Sequence, residues 1–276
     1  MDSMSLLERT KYLLRQYRFS PKKHLGQNFI IEPSIFRFLA DYASIDQDDV
    51  VLDIGAGLGF LTRFLANECR CVLAIESDQI LVNILHDQLR DISNIQILHG
   101  DLLKVQVPPF NKVISAPPYS ISSSLLLWLF EREFERAVLI FQREFASRLV
   151  ASVGDEDYGW LRVVTYYHAE VELLDEVEEY VFNPQPEVKS NIVRLEPRDS
   201  PPFRLKNERL FREFVQTLFR QRNRKVRNGV LPYITRKCNM SKREATKLAD
   251  SLPFHDRRIR ELAPEDFGVL ANALPR

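Results

Sequence analysis

Cysteine is nearly absent: three occur in 276 residues, Cys69, Cys71 and Cys238. Their number and spacing exclude a disulfide framework and a four-ligand zinc site, and leave the free thiols of a reducing cytoplasm. No apolar run approaches the roughly 20 residues of a membrane span. The opening MDSMSLLERTKYLLRQYRF scatters charges among its leucines and so lacks the apolar centre of a signal peptide. A soluble, cytoplasmic protein is expected, with no membrane and no metal. Excess charge is missing as well, since 38 basic residues balance 38 acidic ones; any nucleic-acid surface must come from local clustering. What is plentiful is apolar. Hydrophobic residues make up 45% of the chain, enough for one substantial core and a smaller second one.

Short apolar runs recur every twenty to twenty-five residues or so: VVLDI from Val50, CVLAIE from Cys71, IQILH from Ile95, KVIS from Lys112 and AVLIF from Ala137. Between them FLTRFLANE and QILVNILHDQLRDI have helical spacing. This alternation predicts an α/β fold, a doubly wound, seven-stranded, Rossmann-like sheet. AEVELLDEV from Ala169 and NIVRLE from Asn191 supply the last two strands, as an antiparallel pair at one edge. Charge and proline break the pattern at EPRDSPPF, 196–203. The expected domains are therefore 1–198, with a basic helical extension at 1–25, and a small helical unit at 199–276. In that second unit NERLFREFVQTLFRQRNRKVRN reads as one helix with Leu210, Phe211, Phe214, Leu218 and Phe219 on one face.

Glycine numbers only nine, yet Gly55, Gly57 and Gly59 crowd into the turn after the first of these strands, where a backbone can approach a ligand. The third glycine falls one residue too early for the dinucleotide fingerprint, and Asp53 stands just before the turn, which suits a cationic nucleoside better than a pyrophosphate. Glu76 ends the next strand, where a carboxylate can accept ribose hydroxyls, and Asp101 ends the third, where it can accept an adenine amine. Either acid alone is an ordinary solvated strand end. Together with the glycine turn they point to S-adenosyl-L-methionine.

The fourth strand ends in Ala116-Pro117-Pro118-Tyr119. Prolines commonly stop strands, with a tyrosine left on the surface. They also fix their own φ and restrict the residues before them, which makes a rigid platform. Such a platform, with an aromatic ring to stack on an extruded base and carbonyls to accept its amine hydrogens, is what methylation of a base amine requires.

Five separated blocks in order then resemble the ribosomal RNA adenine N6,N6-dimethyltransferases (KsgA type, archaeal-like) over nearly the whole chain: KKHLGQNFII at 22–31, VLDIGAGLGFLT, APPYSISS, FNPQPEVKSNIV at 182–193 and LFRQRNRKVRN at 218–228. The resemblance implies dimethylation of adenine N6 in small-subunit ribosomal RNA, in the course of ribosome biogenesis, and a monomer docking on the small subunit is expected. It implies that Gln27, Asn28 and Ile30 close over the cofactor, that Gly55 and Gly57 approach its methionine part, and that Glu76 and Asp101 hold ribose and adenine. It also implies that Tyr119 and Phe182 sandwich the flipped base. Arg220, Arg222, Arg224, Lys225 and Arg227, with Lys22 and Lys23 at the cofactor entrance, are expected to contact RNA phosphates. The family begins its catalytic turn with Asn, then Leu-Pro-Tyr. Here Ala116 supplies no side-chain carbonyl, and the main-chain carbonyl of Pro117 remains. A cofactor-binding assembly factor with weakened catalysis, or an amino methyltransferase acting on DNA or a protein glutamine, are the other readings.

Overall fold

The computed structural model describes residues 4–22, 26–237 and 240–275. Contacts divide the chain into two compact units, Met1–Ala146 with Val171–Pro197, and Ser147–Glu170 with Arg198–Arg276.

In the first unit, helix α1 (Leu6–Gln16) starts from a capping box in which Ser5 and Glu8 satisfy each other's amides. It is no detached extension, because Leu13 packs into a buried cluster with Phe29, Leu58, Leu81 and Ile84. A two-residue strand β1 (Phe29–Ile30) and helix α2 (Pro33–Ala43) follow. Strand and helix then alternate: β2 (Val50–Ile54), α3 (Phe60–Leu65), β3 (Cys71–Glu76), α4 (Gln79–Leu89), β4 (Ile95–His99), β5 (Lys112–Ser115), α5 (Ser122–Leu129), β6 (Arg136–Gln142). The order across the sheet is β4-β3-β2-β5-β6-β9-β7, with β7 (Ala169–Val177) at one edge and β9 (Ser190–Pro197) inserted beside β6. β2 through β6 pair in parallel, whereas β9 runs antiparallel to β6, from Ala137↔Leu195 to Gln142↔Ser190. β2, β3, β5 and β6 are buried on both faces, which explains their unbroken apolar runs, while the edge strand β4 is only half covered. The charge in β5 is neutralised at the far end of the sheet, where Lys112 Nζ lies 2.7 Å from Asp49 Oδ2. A second, two-stranded ribbon joins β1 to β8 (Phe182–Asn183), with Ile30 opposite Phe182 and Phe29 opposite Asn183. Cys69 is buried and Cys71 half-buried, both free, and Cys238 lies outside the described residues.

The second unit corrects three expectations. The break near residue 198 is one of its borders, but Ser147–Glu170 belongs to it as well, and the strand at 169 therefore starts from it. Helix α6 (Arg143–Val150) enters this unit, and α7 (Trp160–His168) turns Val163 and Tyr167 into one cluster with Phe211, Phe214 and Leu218. Helix α8 (Glu208–Phe219) is not the long basic helix that the spacing predicts: Arg220 caps it, residues 220–225 form a turn, and Arg227 falls in the short helix α9 (Val226–Gly229). RQRNRK at 220–225 holds no apolar residue, so a continued helix would have had no face to bury. Leu210 also leaves the expected face and is 41% exposed. Helices α10 (Leu231–Lys237), α11 (Lys242–Ser251) and α12 (Pro264–Ala273) complete the unit. No helix among the described residues is long and apolar enough to cross a membrane.

Candidate active site

Parallel strands deliver their C-terminal ends to one edge of the sheet. There the turn after β2 reverses the chain: Gly55 at φ +76° and Gly57 at φ +57° occupy the left-handed region, and the Gly55 and Ala56 amides both donate to the Ile75 carbonyl, at 2.8 and 3.0 Å. A cavity of about 340 Å³ opens above this edge, lined by Gln27, Asn28, Gly55, Gly57, Glu76, Asp101 and Ala116 among others. Most of the expected cofactor residues are thus together. Glu76, at the end of β3, is 5% exposed. Its Oε2 accepts from the Gly57 amide at 3.0 Å, and its Oε1 from the Ser77 and Asp78 amides at 2.7 and 2.9 Å. Burial pushes its carboxyl up, and these amides pull it back. A carboxylate offers about four lone-pair positions. The one left open on Oε2 is a ready acceptor for a ligand hydroxyl. Asp101 is exposed; its Oδ1 accepts from the Leu103 amide at 3.0 Å, and Lys104 stands 3.4 Å away.

Asp53 is not the ligand-facing charge its position suggests. It is 2% exposed and takes a 2.7 Å hydrogen bond from the Thr62 hydroxyl. Burial lifts its pKa to about 7, against the pull of the Thr62 and Ser115 hydroxyls and with the push of the Glu76 charge. It borders a void of about 40 Å³ between the glycine turn and Ala116, and Ile30 lines this void rather than the main cavity.

The turn after β5 is seated directly on the glycine turn. A Cβ added to Gly55 would lie 2.6 Å from Pro118 Cδ, so glycine is required here by a neighbouring ring as well as by backbone geometry. On the other side, a Cβ on Gly26, itself at φ +70°, would lie 3.0 Å from the Tyr119 amide nitrogen. Tyr119 is half-buried, with its hydroxyl 2.7 Å from Ser190 Oγ, and burial raises its phenol pKa. Ser122 Oγ donates to the Tyr119 carbonyl at 2.9 Å, and the Ile121 amide to that of Pro118 at 3.1 Å. Among the described residues no donor reaches the Pro117 carbonyl. A second cavity, of about 330 Å³, lies on the Tyr119 side, lined by Gly26, Asn28, Ser120, Gln142, Gln185, Pro186 and Glu187 as well.

Phe182 is not brought to that cavity. It is 2% exposed and packs with Ile30, Ile35 and Ile192 under the β1–β8 ribbon. Gln27 is held by the Lys22 amide, which donates to its Oε1 at 2.9 Å, and Lys22 Nζ pairs with Asp78 at 3.0 Å. Lys23 lies outside the described residues. In the helical unit, Arg222 donates to the carbonyls of Glu156 and Asp155 at 2.6 and 2.9 Å, and Lys225 and Arg227 both pair with Asp256, at 2.9 and 3.0 Å. Arg220 and Arg224 have no side-chain partner among the described residues. Residue-by-residue reading of the sequence missed Ser190 and Gln142. The first lies inside the quoted 182–193 block, and the second is marked only by ending an apolar strand, as Glu76 is. No group of three or more His, Cys, Asp or Glu stands together as metal ligands would among the described residues.

A sheet that gathers a glycine turn and two acids around one cavity, and a proline-stiffened tyrosine at a second that shares its wall, puts the protein among the Rossmann-like methyltransferases. Within that class, the chain belongs to the ribosomal RNA adenine dimethylase family, whose pattern matches residues 18–263. It is 39% identical over 250 residues to a protein of Methanosarcina acetivorans, covering 90% of this chain and 91% of that one. It is 40% identical over 259 residues to one of Thermococcus kodakarensis, covering 92% and 90%. Both relatives are named probable ribosomal RNA small subunit methyltransferase A. Among solved structures, a dimethyladenosine transferase from Plasmodium falciparum matches with a TM-score of 0.74 at 26% identity, over 88% of this chain and 95% of the other. The 23S rRNA methyltransferase ErmE matches at 0.63 and 27% identity, over 89% and 99%.

Proposed function

We propose that the protein transfers two methyl groups to the N6 of adenine in small-subunit ribosomal RNA, acting as a monomer on the small subunit. One observation carries the reading: the cavity at the strand ends and the cavity at Tyr119 share the lining residues Gly26, Asn28 and Ser120, so that a donor in one and a base in the other meet at a common wall. The chemistry of the first cavity fits S-adenosyl-L-methionine. Glu76 keeps one acceptor position for a ribose hydroxyl, Asp101 stands beside it for the adenine, and the Gly55–Gly57 backbone leaves room for the methionine part, with Gln27 and Asn28 forming the outer wall. When bound, this cofactor supplies a sulfonium methyl: the amine lone pair forms the N–C bond, the S–C pair stays on the departing sulfur, and one N6 proton is lost to water.

The chain's own part is to place the amine. Tyr119, its hydroxyl tied to Ser190 and its backbone fixed by Pro118, offers a ring for the extruded base, a stacking worth roughly 1–3 kcal/mol. The Pro117 carbonyl accepts one N6 hydrogen and turns the lone pair toward the methyl. Lys22, Lys23, Arg220 and Arg224 contact RNA phosphates, the two arginines having no side-chain partner among the described residues. The test is to incubate the protein with labelled cofactor and undermethylated small subunits, then map and count methyl groups per adenine. Two methyls on an adenine are expected. No incorporation despite measurable binding of cofactor and subunit would sink the enzyme, and would favour the assembly factor that the missing side-chain acceptor at Ala116 otherwise suggests.

A further inference from the structure

We infer that the side-chain carbonyl of Asn28 accepts one N6 hydrogen of the target adenine, so that this residue supplies the second acceptor that Ala116 lacks. The inference rests on the amino-methyl-transfer reading above and adds a catalytic residue to it.

An exocyclic adenine amine shares its lone pair with the ring. To attack a methyl group, the nitrogen must withdraw that pair and turn it out of the ring plane, gaining positive charge as it does so. Two acceptors, one for each N–H, hold it in that geometry, and both bonds strengthen as the charge develops. The run Ala116-Pro117-Pro118 has no side-chain oxygen, and the Pro117 carbonyl, which no donor reaches among the described residues, is the acceptor assigned above to one hydrogen. The second acceptor must come from another segment, and it must stand where the two cavities meet.

Three residues line both cavities. Gly26 has no side chain, and the hydroxyl of Ser120 is exposed. Asn28 is the third, and it also borders the void beside Ala116 and Gly55. Its Nδ2 makes a long 3.5 Å contact with the Gly26 carbonyl, which identifies Oδ1 as the end without a partner among the described residues. The residue is held from both sides. Gly26 abuts the Tyr119 amide, a Cβ on Gly57 would lie 3.0 Å from the Phe29 ring, and Ile30 is laddered to Phe182. A backbone fixed on both sides limits how far the carboxamide has to move at the moment of transfer, as a transition-state acceptor needs. Gln142 also carries a carboxamide without a partner among the described residues, but it lines the Tyr119 cavity alone.

Four full-length proteins decide the matter: wild type, Asn28→Ala, Ala116→Asn and the double variant. Single-turnover methyl transfer to undermethylated small subunits is measured for each, alongside cofactor affinity by calorimetry and subunit affinity by filter binding. Asn28→Ala is expected to lose on the order of a hundredfold or more in rate, with subunit affinity retained and cofactor affinity falling far less than the rate, since the residue also walls the cofactor cavity. Ala116→Asn is scored for its rescue: the double variant, with an acceptor restored at the head of the turn, recovers most of the rate that Asn28→Ala loses. The inference is overturned if Asn28→Ala transfers at the wild-type rate, or if it loses rate and cofactor affinity together without rescue by Ala116→Asn. An inactive wild type that still binds cofactor and subunit overturns the underlying reading as well, and the wild-type assay alone reports it.

Discussion

The glycine turn at 55–59 and the basic segment at 220–227 are both stretches of extreme composition that join one element to the next. In the first, each unusual residue answers to a neighbour: Gly55 makes room for the Pro118 ring, Gly57 faces Phe29, and the Gly57 amide is fixed on Glu76. In the second, the charges are divided. Arg222 is committed to two main-chain carbonyls and Lys225 and Arg227 to one carboxylate, while Arg220 and Arg224 remain for solvent or a ligand. A turn whose composition is forced by geometry has one use. A stretch that is only rich in charge can be split between holding the fold and meeting a partner.

Gly55→Ala is the strongest way to break this comparison. Its new Cβ would meet a proline ring that cannot swing aside, at a backbone angle that side chains avoid. We expect a loss of about 2–4 kcal/mol in unfolding free energy, read by urea denaturation, and cofactor binding below detection by calorimetry. Near-normal binding would show the turn to be compliant.

Asp53→Asn sharpens the comparison through pH. The folded state holds the Asp53 proton up to about pH 7, above the carboxyl's ordinary value of 3.8. The folded form therefore binds more protons than the unfolded one between these limits, and the contribution of Asp53 to stability is fully present below the lower limit and lost as pH rises through about 7. Urea midpoints should accordingly place Asp53→Asn higher relative to wild type at pH 8 than at pH 5. A constant difference would mean that Asp53 is ionised throughout.

The smallest effects separate the two kinds of arginine. Arg222→Ala should cost about 1 kcal/mol of stability and leave the salt dependence of RNA binding unchanged. Arg220→Ala and Arg224→Ala should each leave the urea midpoint alone and reduce the salt slope by about 1. Equal behaviour of all three would erase the division drawn above.

The sheet was legible in the sequence because a buried parallel strand writes its own signature. Four of the five expected starts, Val50, Cys71, Ile95 and Lys112, are where the strands begin, and the fifth begins one residue early, at Arg136. The gathering of Glu76 and Asp101 at one cavity follows from that regularity, since strand ends align by topology. What stayed hidden depends on residues far apart in the chain. Asp53 reads as a ligand-facing acid because Thr62 is not recognisable as its partner, and the arginines read as one surface because Asp155, Glu156 and Asp256 lie in other segments. Strands of two residues, such as β1 and β8, are too short to leave a periodic trace, and the burial of Phe182 beneath them was equally illegible.

That ribbon sets a schedule for the ribosome that makes this protein. Strands β2 to β5 and both turns of the cleft are synthesised early and can pair as they emerge, since domains tend to build from the N-terminus during translation. Asn28 and its neighbours are made earlier still, yet the strand that clasps them contains Phe182 and Asn183 and leaves the exit tunnel much later. The nascent chain therefore carries the floor of its cofactor cleft long before it has the clasp, and the cleft is completed only as the last strand of the sheet is being added.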